Sequence, residues 1–121
     1  MKIAIRQKNL EVTPALRKFI EDKLELPLRR HLRKMKSAAR PVLNLELSRD
    51  AKHRKGMVYY AEANLSLGKR LLRAETYEEN PRVALEKIKE ELIREINKFK
   101  DKKRTINKKA SRIAKGRFGY E

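Results

Sequence analysis

Three consecutive segments in the middle of the chain alternate apolar and polar residues, which constrains this region to β-structure. The alternation covers residues 42–48, 57–67 and 69–77. A period of two gives each strand one apolar and one polar face. Gly68 alone separates the second segment from the third, so we expect a tight hairpin there. The sequence therefore predicts an antiparallel sheet that is covered on one face.

Two longer segments have the periodicity of amphipathic helices, and each follows a helix-start signal. These signals are Thr13-Pro14 and Asn80-Pro81, in which a capping side chain precedes a proline at the first helical position. Pro27 interrupts the first helix and either kinks it or ends it near Leu26. The apolar stripes consist of Leu16, Phe19, Ile20, Leu24, Leu28, His31 and Met35 in the first helix, and of Val83, Ala84, Leu85, Ile88, Leu92, Ile96 and Phe99 in the second.

An alternating segment at residues 2–6 adds a short strand before the first helix. The element order is then β-α-β-β-β-α, an α+β fold in which a four-stranded sheet carries two helices on one face as a two-layer sandwich. If the first two strands are neighbours, a right-handed parallel crossover joins them. Apolar periodicity fades from about Lys102, so we predict one domain over 1–103 and a flexible basic tail over 104–121.

Positive charge is distributed unevenly along the chain. The formal net charge is +17, of which +8 falls within residues 1–40 and +6 within residues 101–121. Two clusters, rather than a uniform excess, indicate a surface that binds a polyanion. Nucleic acid is favoured over an anionic membrane, because the tail has few bulky apolar residues at helical spacing.

Residues that support catalysis or hold a metal are scarce. The chain has no cysteine, and its two histidines belong to no catalytic or metal-binding motif. His31 lies on an apolar stripe and is interpreted as partly buried or capping, whereas His53 lies in a basic loop over 50–56, where a phosphate contact is expected. We therefore predict no enzymatic activity, no metal and no cofactor. Because no signal peptide or membrane-spanning run is found, a cytoplasmic location is expected.

Basic residues recur along one flank of each helix. Aromatic residues make up only 6 % of the chain, and Tyr60 stands nearly alone on the polar sheet face, which argues against stacking of single-stranded bases. Helix-borne cations suit the phosphates of folded A-form RNA. If the two flanks face each other they line a basic channel; otherwise they merely cover the apolar stripes. The flanks are Lys23, Arg30 and Arg33 on the first helix, and Lys87, Arg94 and Lys98 on the second.

Three stretches resemble one known family. They are KNLEVTPALRKFIEDKL (8–24), LSLGKRLLRAET (65–76) and LIREINKFKDKK (92–103). Their order and spacing are similar to those of the ribosome hibernation-promoting factor and ribosome-associated inhibitor family, once called sigma-54 modulation proteins. The resemblance implies the β-α-β-β-β-α fold and binding to the small ribosomal subunit, where mRNA and the A- and P-site tRNAs would lie. It also implies that the protein silences translation in starvation or stationary phase.

The resemblance also implies individual RNA contacts. They fall on Lys23 and Arg29 in the first helix, and on Arg94 and Lys98, followed by Lys100 and Lys102, in the second. The chain departs from the family at Arg82, where a tyrosine is usual, and at Pro27. Long members add a dimerising domain, so pairing of ribosomes through such a domain is not expected here. The segment Lys102–Arg117 is expected to order on rRNA phosphates.

We therefore predict a ribosome-binding translational inhibitor that acts by occupying its site, with the small subunit or whole ribosome as partner. No membrane or small-molecule partner is expected, and the protein is expected to be monomeric off the ribosome. The alternatives are a general double-stranded-RNA-binding or RNA-chaperone module, and a regulatory protein with an acidic protein partner. The predicted RNA-binding residues are Lys23, Arg29, Arg30, Arg33, Lys87, Arg94, Lys98, Lys100, Lys102, Lys103 and Arg104.

Overall fold

The structure is a computed structural model that describes residues 1–33, 40–50 and 58–115, with side chains described up to residue 99. The predicted order β-α-β-β-β-α is confirmed. The strands are β1 (Lys2–Lys8), β2 (Val42–Arg49), β3 (Tyr59–Leu67) and β4 (Arg70–Glu78). The helical segments are α1 (Pro14–Ile20), a π-helical turn (Glu21–Glu25), α2 (Leu26–Arg33) and α3 (Pro81–Lys115).

The four strands form one mixed sheet in the order β1-β2-β3-β4. Strand β1 runs parallel to β2, as expected for a crossover connection, and the other two pairs are antiparallel. A tight turn joins β3 to β4, and Gly68 has a φ of 62° there. Glycine suits this left-handed conformation because it has no Cβ.

One face of the sheet is buried beneath the helices. Leu43 pairs with Leu65, which pairs with Leu72, and all three side chains are buried. The same hydrophobic core includes Leu24 from the π-helical turn and Leu92 from α3. The residues that alternate with these core positions lie on the opposite sheet face, where they are exposed or half-buried and mostly polar, with Leu71 and Tyr77 as exposed apolar and aromatic members. The two-layer arrangement predicted from the alternation is therefore confirmed.

Both helix-start signals act as expected. The hydroxyl oxygen of Thr13 accepts a hydrogen bond from the backbone N–H of Leu16 at 3.1 Å. The side-chain oxygen of Asn80 accepts one from the backbone N–H of Arg82 at 2.8 Å. Each cap satisfies a donor that the first helical turn leaves without an intrahelical partner.

The first helix passes Pro27 without ending. The backbone N–H of Leu26 donates to the carbonyl of Glu21, five residues earlier, which is the hydrogen bond of a π-helical turn. In a regular α-helix, residues spaced by four rotate about the helix axis by about 40° per step. The wider π-helical turn offsets part of this rotation, so residues spaced by four stay on one side of the helix. The buried residues accordingly recur every four positions, at Leu16, Ile20, Leu24, Leu28 and Leu32.

The end of this stripe differs from the sequence prediction. Leu32, which the predicted stripe omits, is buried, whereas His31 is partly buried, as interpreted from the sequence. This difference follows from the π-helical turn, because one extra residue in a turn changes the direction in which every later side chain leaves the helix axis. Met35, like His53 and most of the basic loop over 50–56, lies outside the described residues.

Helix α3 is longer than the apolar periodicity predicts. Apolar periodicity fades from about Lys102, whereas the helix continues to Lys115. Lysine, arginine and alanine are all good helix formers, so helical propensity persists after the apolar stripe has faded. The division into a domain over 1–103 and a flexible tail over 104–121 stays a prediction.

Candidate nucleic-acid interface

The first helix presents cations that have no carboxylate partner among the described residues. Lys23, on the π-helical turn, and Arg30 and Arg33, on α2, are all exposed. Within the part of the chain that the structure describes, none of the three forms an ion pair. Their charges are therefore available to an anionic ligand in this part of the surface.

Arg29 is placed differently from its neighbours. Its guanidinium forms an ion pair with Glu25 one turn earlier, and the Glu25 side chain is almost fully buried. Arg29 also lines a hollow of about 260 Å³ together with Arg33 and Met1. The family resemblance assigned Arg29 an RNA contact, and the shared hollow places it on the same side of α2 as Arg33.

Along α3 every cation of the predicted flank has a glutamate partner. The Nζ of Lys87 lies 2.8 Å from Oε1 of Glu78 on β4. Arg94 and Lys98 pair with glutamates three residues earlier in the helix, at 2.7 and 3.5 Å respectively. Pairs of this kind on an exposed helix surface contribute a few tenths of a kcal/mol and reduce the local charge.

The flank of α3 does not face the first helix. Lys87 and Arg94 line a hollow of about 480 Å³ with Arg73 and Thr76, which lie on β4. The condition for a two-walled channel, that the two basic flanks face each other, is therefore not met by Lys87 and Arg94. Sequence periodicity places a residue beside the apolar stripe of its helix but does not show which neighbouring element lies on that side. For Lys87 and Arg94 that element is β4 rather than the first helix.

Another part of α3 contacts the first helix. The guanidinium of Arg82 lies over the ring of Phe19 on α1, at 5.6 Å from the ring centroid. A second arginine, Arg70, lies over Phe99 at 5.9 Å. These cation–π contacts use two positive charges to hold elements of the fold together.

A row of carboxylates crosses the open face of the sheet. The strand register places Arg6, Glu46, Glu62 and Glu75 side by side on β1 to β4. Arg73 forms ion pairs of 3.1 Å with both Glu62 and Glu75. A hydrogen bond from Asn64, aided by Tyr60 and Arg73, lowers the pKa of Glu62, and hydrogen bonds from Tyr60 and Arg73 lower that of Glu75. The part of this face formed by β2 to β4 is therefore negative and disfavours phosphate.

Tyr60 belongs to this network rather than to a base-stacking platform. Its hydroxyl lies 2.8 Å from Glu75 and 3.1 Å from Glu62, and its pKa is raised by burial and by these two carboxylates. Its ring centroid lies 4.8 Å from that of Tyr77, its partner across the β3–β4 ladder. Tyr77 is not among the residues predicted from the sequence, although the hairpin register places the two tyrosines opposite each other.

Four predicted contacts lie beyond the described side chains. Lys100, Lys102, Lys103 and Arg104 belong to the helical backbone of α3, and their contacts fall outside what the structure describes. Among the described residues, no group of three or more histidine or acidic side chains could hold a metal ion. No helix in the described part of the chain is both long and apolar enough to cross a membrane.

Residues 3–104 match the family model described as Sigma 54 modulation protein / S30EA ribosomal protein. The chain belongs to this family. The match includes both helix flanks and the four strands, so the S30EA assignment covers the candidate interface as well as the sheet. No curated protein sequence matches the chain significantly.

Two solved structures show the same fold as this S30EA family member. The Protein Y N-terminal domain from Thermus thermophilus has a TM-score of 0.63 and 24 % sequence identity, covering 82 % of this chain and 99 % of that one. A ribosomal subunit interface protein from Coxiella burnetii has a TM-score of 0.59 and 14 % identity, covering 84 % of this chain and 99 % of that one. At these identities the likeness establishes the fold alone.

Proposed function

We propose that this protein is a ribosome-associated translational inhibitor that occupies the mRNA and tRNA region of the small ribosomal subunit. The family assignment supports the ribosome as partner. The similar structure from Coxiella burnetii is that of a ribosomal subunit interface protein, which agrees with a site between the subunits. Inhibition is by occupation, because a protein bound there excludes mRNA and tRNA without changing a covalent bond.

The observation that carries the proposal is the difference between the two sides of the fold. Among the described residues, the helical side has cations without ion-pair partners at Lys23, Arg30 and Arg33, whereas the open face of β2 to β4 has a carboxylate row centred on Glu62. Phosphates favour the helical side and are repelled by this part of the sheet face. The domain therefore binds rRNA through its helices and turns β2 to β4 away from it.

The remaining predicted contacts divide into two groups. Arg29, Lys87, Arg94 and Lys98 are held by glutamates, so an approaching phosphate must compete with a carboxylate or bind beside it. Lys100, Lys102, Lys103 and Arg104 continue the positive charge beyond this ion-paired part of α3. We propose that both groups contact rRNA, the second more strongly than the first.

Sedimentation with purified ribosomes tests the function. The protein is layered with ribosomes on a sucrose gradient at near-physiological salt, with an excess of unrelated structured RNA as competitor. Co-migration with the small subunit or the whole ribosome in the presence of competitor is expected. Loss of the protein to the competitor would contradict a ribosomal site and would favour a general double-stranded-RNA-binding module.

A translation assay completes the test. Addition of the protein to a cell-free system is expected to reduce synthesis in proportion to ribosome occupancy. Replacing Lys23, Arg30 and Arg33 together by glutamine is expected to weaken both binding and inhibition. A variant that loses binding but retains inhibition would contradict inhibition by occupation.

A further inference from the structure

The last part of α3 extends beyond the residues whose side chains the structure describes. We call residues 100–115 the arm. Phe99 packs against the hydrophobic core and is the last residue of α3 with a described side chain, and the helical backbone then continues to Lys115. At 1.5 Å per residue, these 16 residues add about 24 Å of helix. The arm is therefore joined to the folded domain by continuous helical backbone.

The arm differs sharply in charge from the part of α3 before it. Residues 81–99 contain five lysines and arginines and four glutamates, whereas the arm contains eight lysines and arginines and a single carboxylate, Asp101. In the first part, Lys87, Lys89, Arg94 and Lys98 each lie within ion-pair distance of a glutamate. One carboxylate cannot neutralise eight cations, so most arm cations have no acidic partner on the same segment of helix.

Five of the eight basic positions of the arm follow the helical repeat. Positions 100, 104, 108 and 112 are four residues apart, and with position 115 they fall within a sector of about 120° at 3.6 residues per turn. The arm contains neither glycine nor proline, so nothing in its sequence breaks the helix. Repulsion among its like charges opposes the helix in isolation, and neutralisation by phosphates removes this opposition.

We propose that the arm is a helical RNA-binding element and that it supplies more phosphate contacts than the ion-paired cations of residues 81–99. The proposal deepens the proposed function, since the RNA is then the rRNA beside the subunit site. An anionic membrane is the less suitable ligand, because the arm has only two bulky apolar residues, Ile106 and Ile113, and a membrane-surface helix needs a broad apolar face.

Two triple variants of the full-length chain test the proposal. The arm variant replaces Lys108, Arg112 and Lys115 by glutamine, and the control replaces Lys2, Arg6 and Lys8, which are exposed on β1. Each variant loses two lysines and one arginine, so the change in net charge is identical. Binding to purified small subunits is measured at salt concentrations between about 50 and 200 mM.

The two variants are expected to behave differently. In the arm variant, the slope of log K against log salt is expected to become shallower by about two, and the Kd at the higher salt to rise about tenfold. The control is expected to change this slope by less than about half a unit. Equal effects of the two variants would overturn the proposal, because binding would then depend on net charge rather than on the arm.

A second pair of variants tests whether the arm binds as a helix. Ala110→Pro preserves every charge but breaks the helix in the middle of the arm, whereas Ala110→Ser leaves it intact. The proline variant is expected to bind several-fold more weakly than the serine variant. Equal binding would show that the segment acts as a flexible chain and would overturn the helical part of the proposal.

Two further ligands separate this proposal from the proposed function. Equally tight binding of the wild-type protein to an unrelated RNA duplex and to small subunits would contradict the proposed ribosomal function. The arm proposal would still be upheld in that case if the arm variant lost binding to the duplex. Vesicles of phosphatidylcholine and phosphatidylserine provide the other ligand. Arm-dependent binding to vesicles without arm-dependent binding to RNA would overturn the proposal.

Discussion

Lys87, in the second turn of α3, places its Nζ 2.8 Å from Oε1 of Glu78 at the end of β4. The Glu78 side chain is only 10 % exposed, whereas that of Lys87 is 56 % exposed. Glu78 also accepts a hydrogen bond from the hydroxyl of Thr76 at 2.8 Å. The pair therefore joins the last strand to the last helix, so a lysine that we propose to contact rRNA also has a structural partner within the fold.

Loss of the lysine should destabilise the fold. Lys87→Met removes the partner of a nearly buried carboxylate, so the free energy of unfolding is expected to fall by about 1 kcal/mol, a value reduced by the exposure of Lys87. Lys98→Met is the matched control, because its partner Glu95 is more exposed. Urea denaturation of both variants provides the measurement, and equal losses would contradict the structural role of Lys87.

The same pair should affect stability in acid. The hydrogen bond from Lys87, followed by that from Thr76, lowers the pKa of Glu78 in the folded state. A lowered pKa contributes stability that is fully present above the unfolded value of about 4.3 and is lost as the pH falls through the folded value. Glu78→Gln is therefore expected to give a shallower fall in stability below that pH. Glu90→Gln, on the exposed side of α3, should retain the wild-type slope; an equally shallow curve for both would contradict this assignment.

RNA binding by the basic flank of α3 can be tested with variants that weaken it and with variants that strengthen it. Arg94→Ala combined with Lys98→Ala is expected to weaken binding to small subunits and to make the salt dependence shallower by about one. Glu91→Gln combined with Glu95→Gln should have the opposite effect, since it releases the two cations from their ion pairs. An unchanged salt slope in the alanine variant would reject Arg94 and Lys98 as RNA contacts.

The hydroxyl of Tyr60 should stabilise the open sheet face. Tyr60→Phe removes the donor that lies between Glu62 and Glu75, so the free energy of unfolding is expected to fall by about 1 kcal/mol. Chemical denaturation of this variant, of Glu75→Gln and of the double variant forms a double-mutant cycle. A coupling energy near zero would show that the hydrogen bond to Glu75 contributes nothing. Ribosome binding should not change, because this face is directed away from RNA in the proposed function.

The sequence was most informative where local chemistry and periodicity agreed. Alternation in residues 42–48 and the turn at Gly68 predicted the hairpins, and the capping residues Thr13 and Asn80 predicted both helix starts. The parallel pairing of β1 with β2 followed from the connection through the first helix. These features depend on neighbouring residues or on simple rules of chain connection, so a single sequence contains the necessary information.

The site was less predictable because pairing depends on three-dimensional position. Arg94 and Lys98 have glutamates three residues earlier, a spacing that is visible in the sequence and signals their ion pairs. The partner of Lys87 could not be found in this way, because Glu78 lies on a different element. Whether a flank faces the first helix or β4 likewise depends on how α3 rotates about its axis when it packs, which periodicity alone does not specify.

The π-helical turn at Glu21–Glu25 has a consequence for comparing this chain with its relatives. A turn with one extra residue is equivalent to a one-residue insertion within a regular helix. If a relative has an unbroken α-helix, an ungapped alignment would match Arg29 to the wrong point on its surface, although residues before the turn would match correctly. Equivalent contacts in the two proteins would then differ by one in sequence position. For α2, superposition of backbones is therefore a better guide to corresponding residues than letter-by-letter alignment.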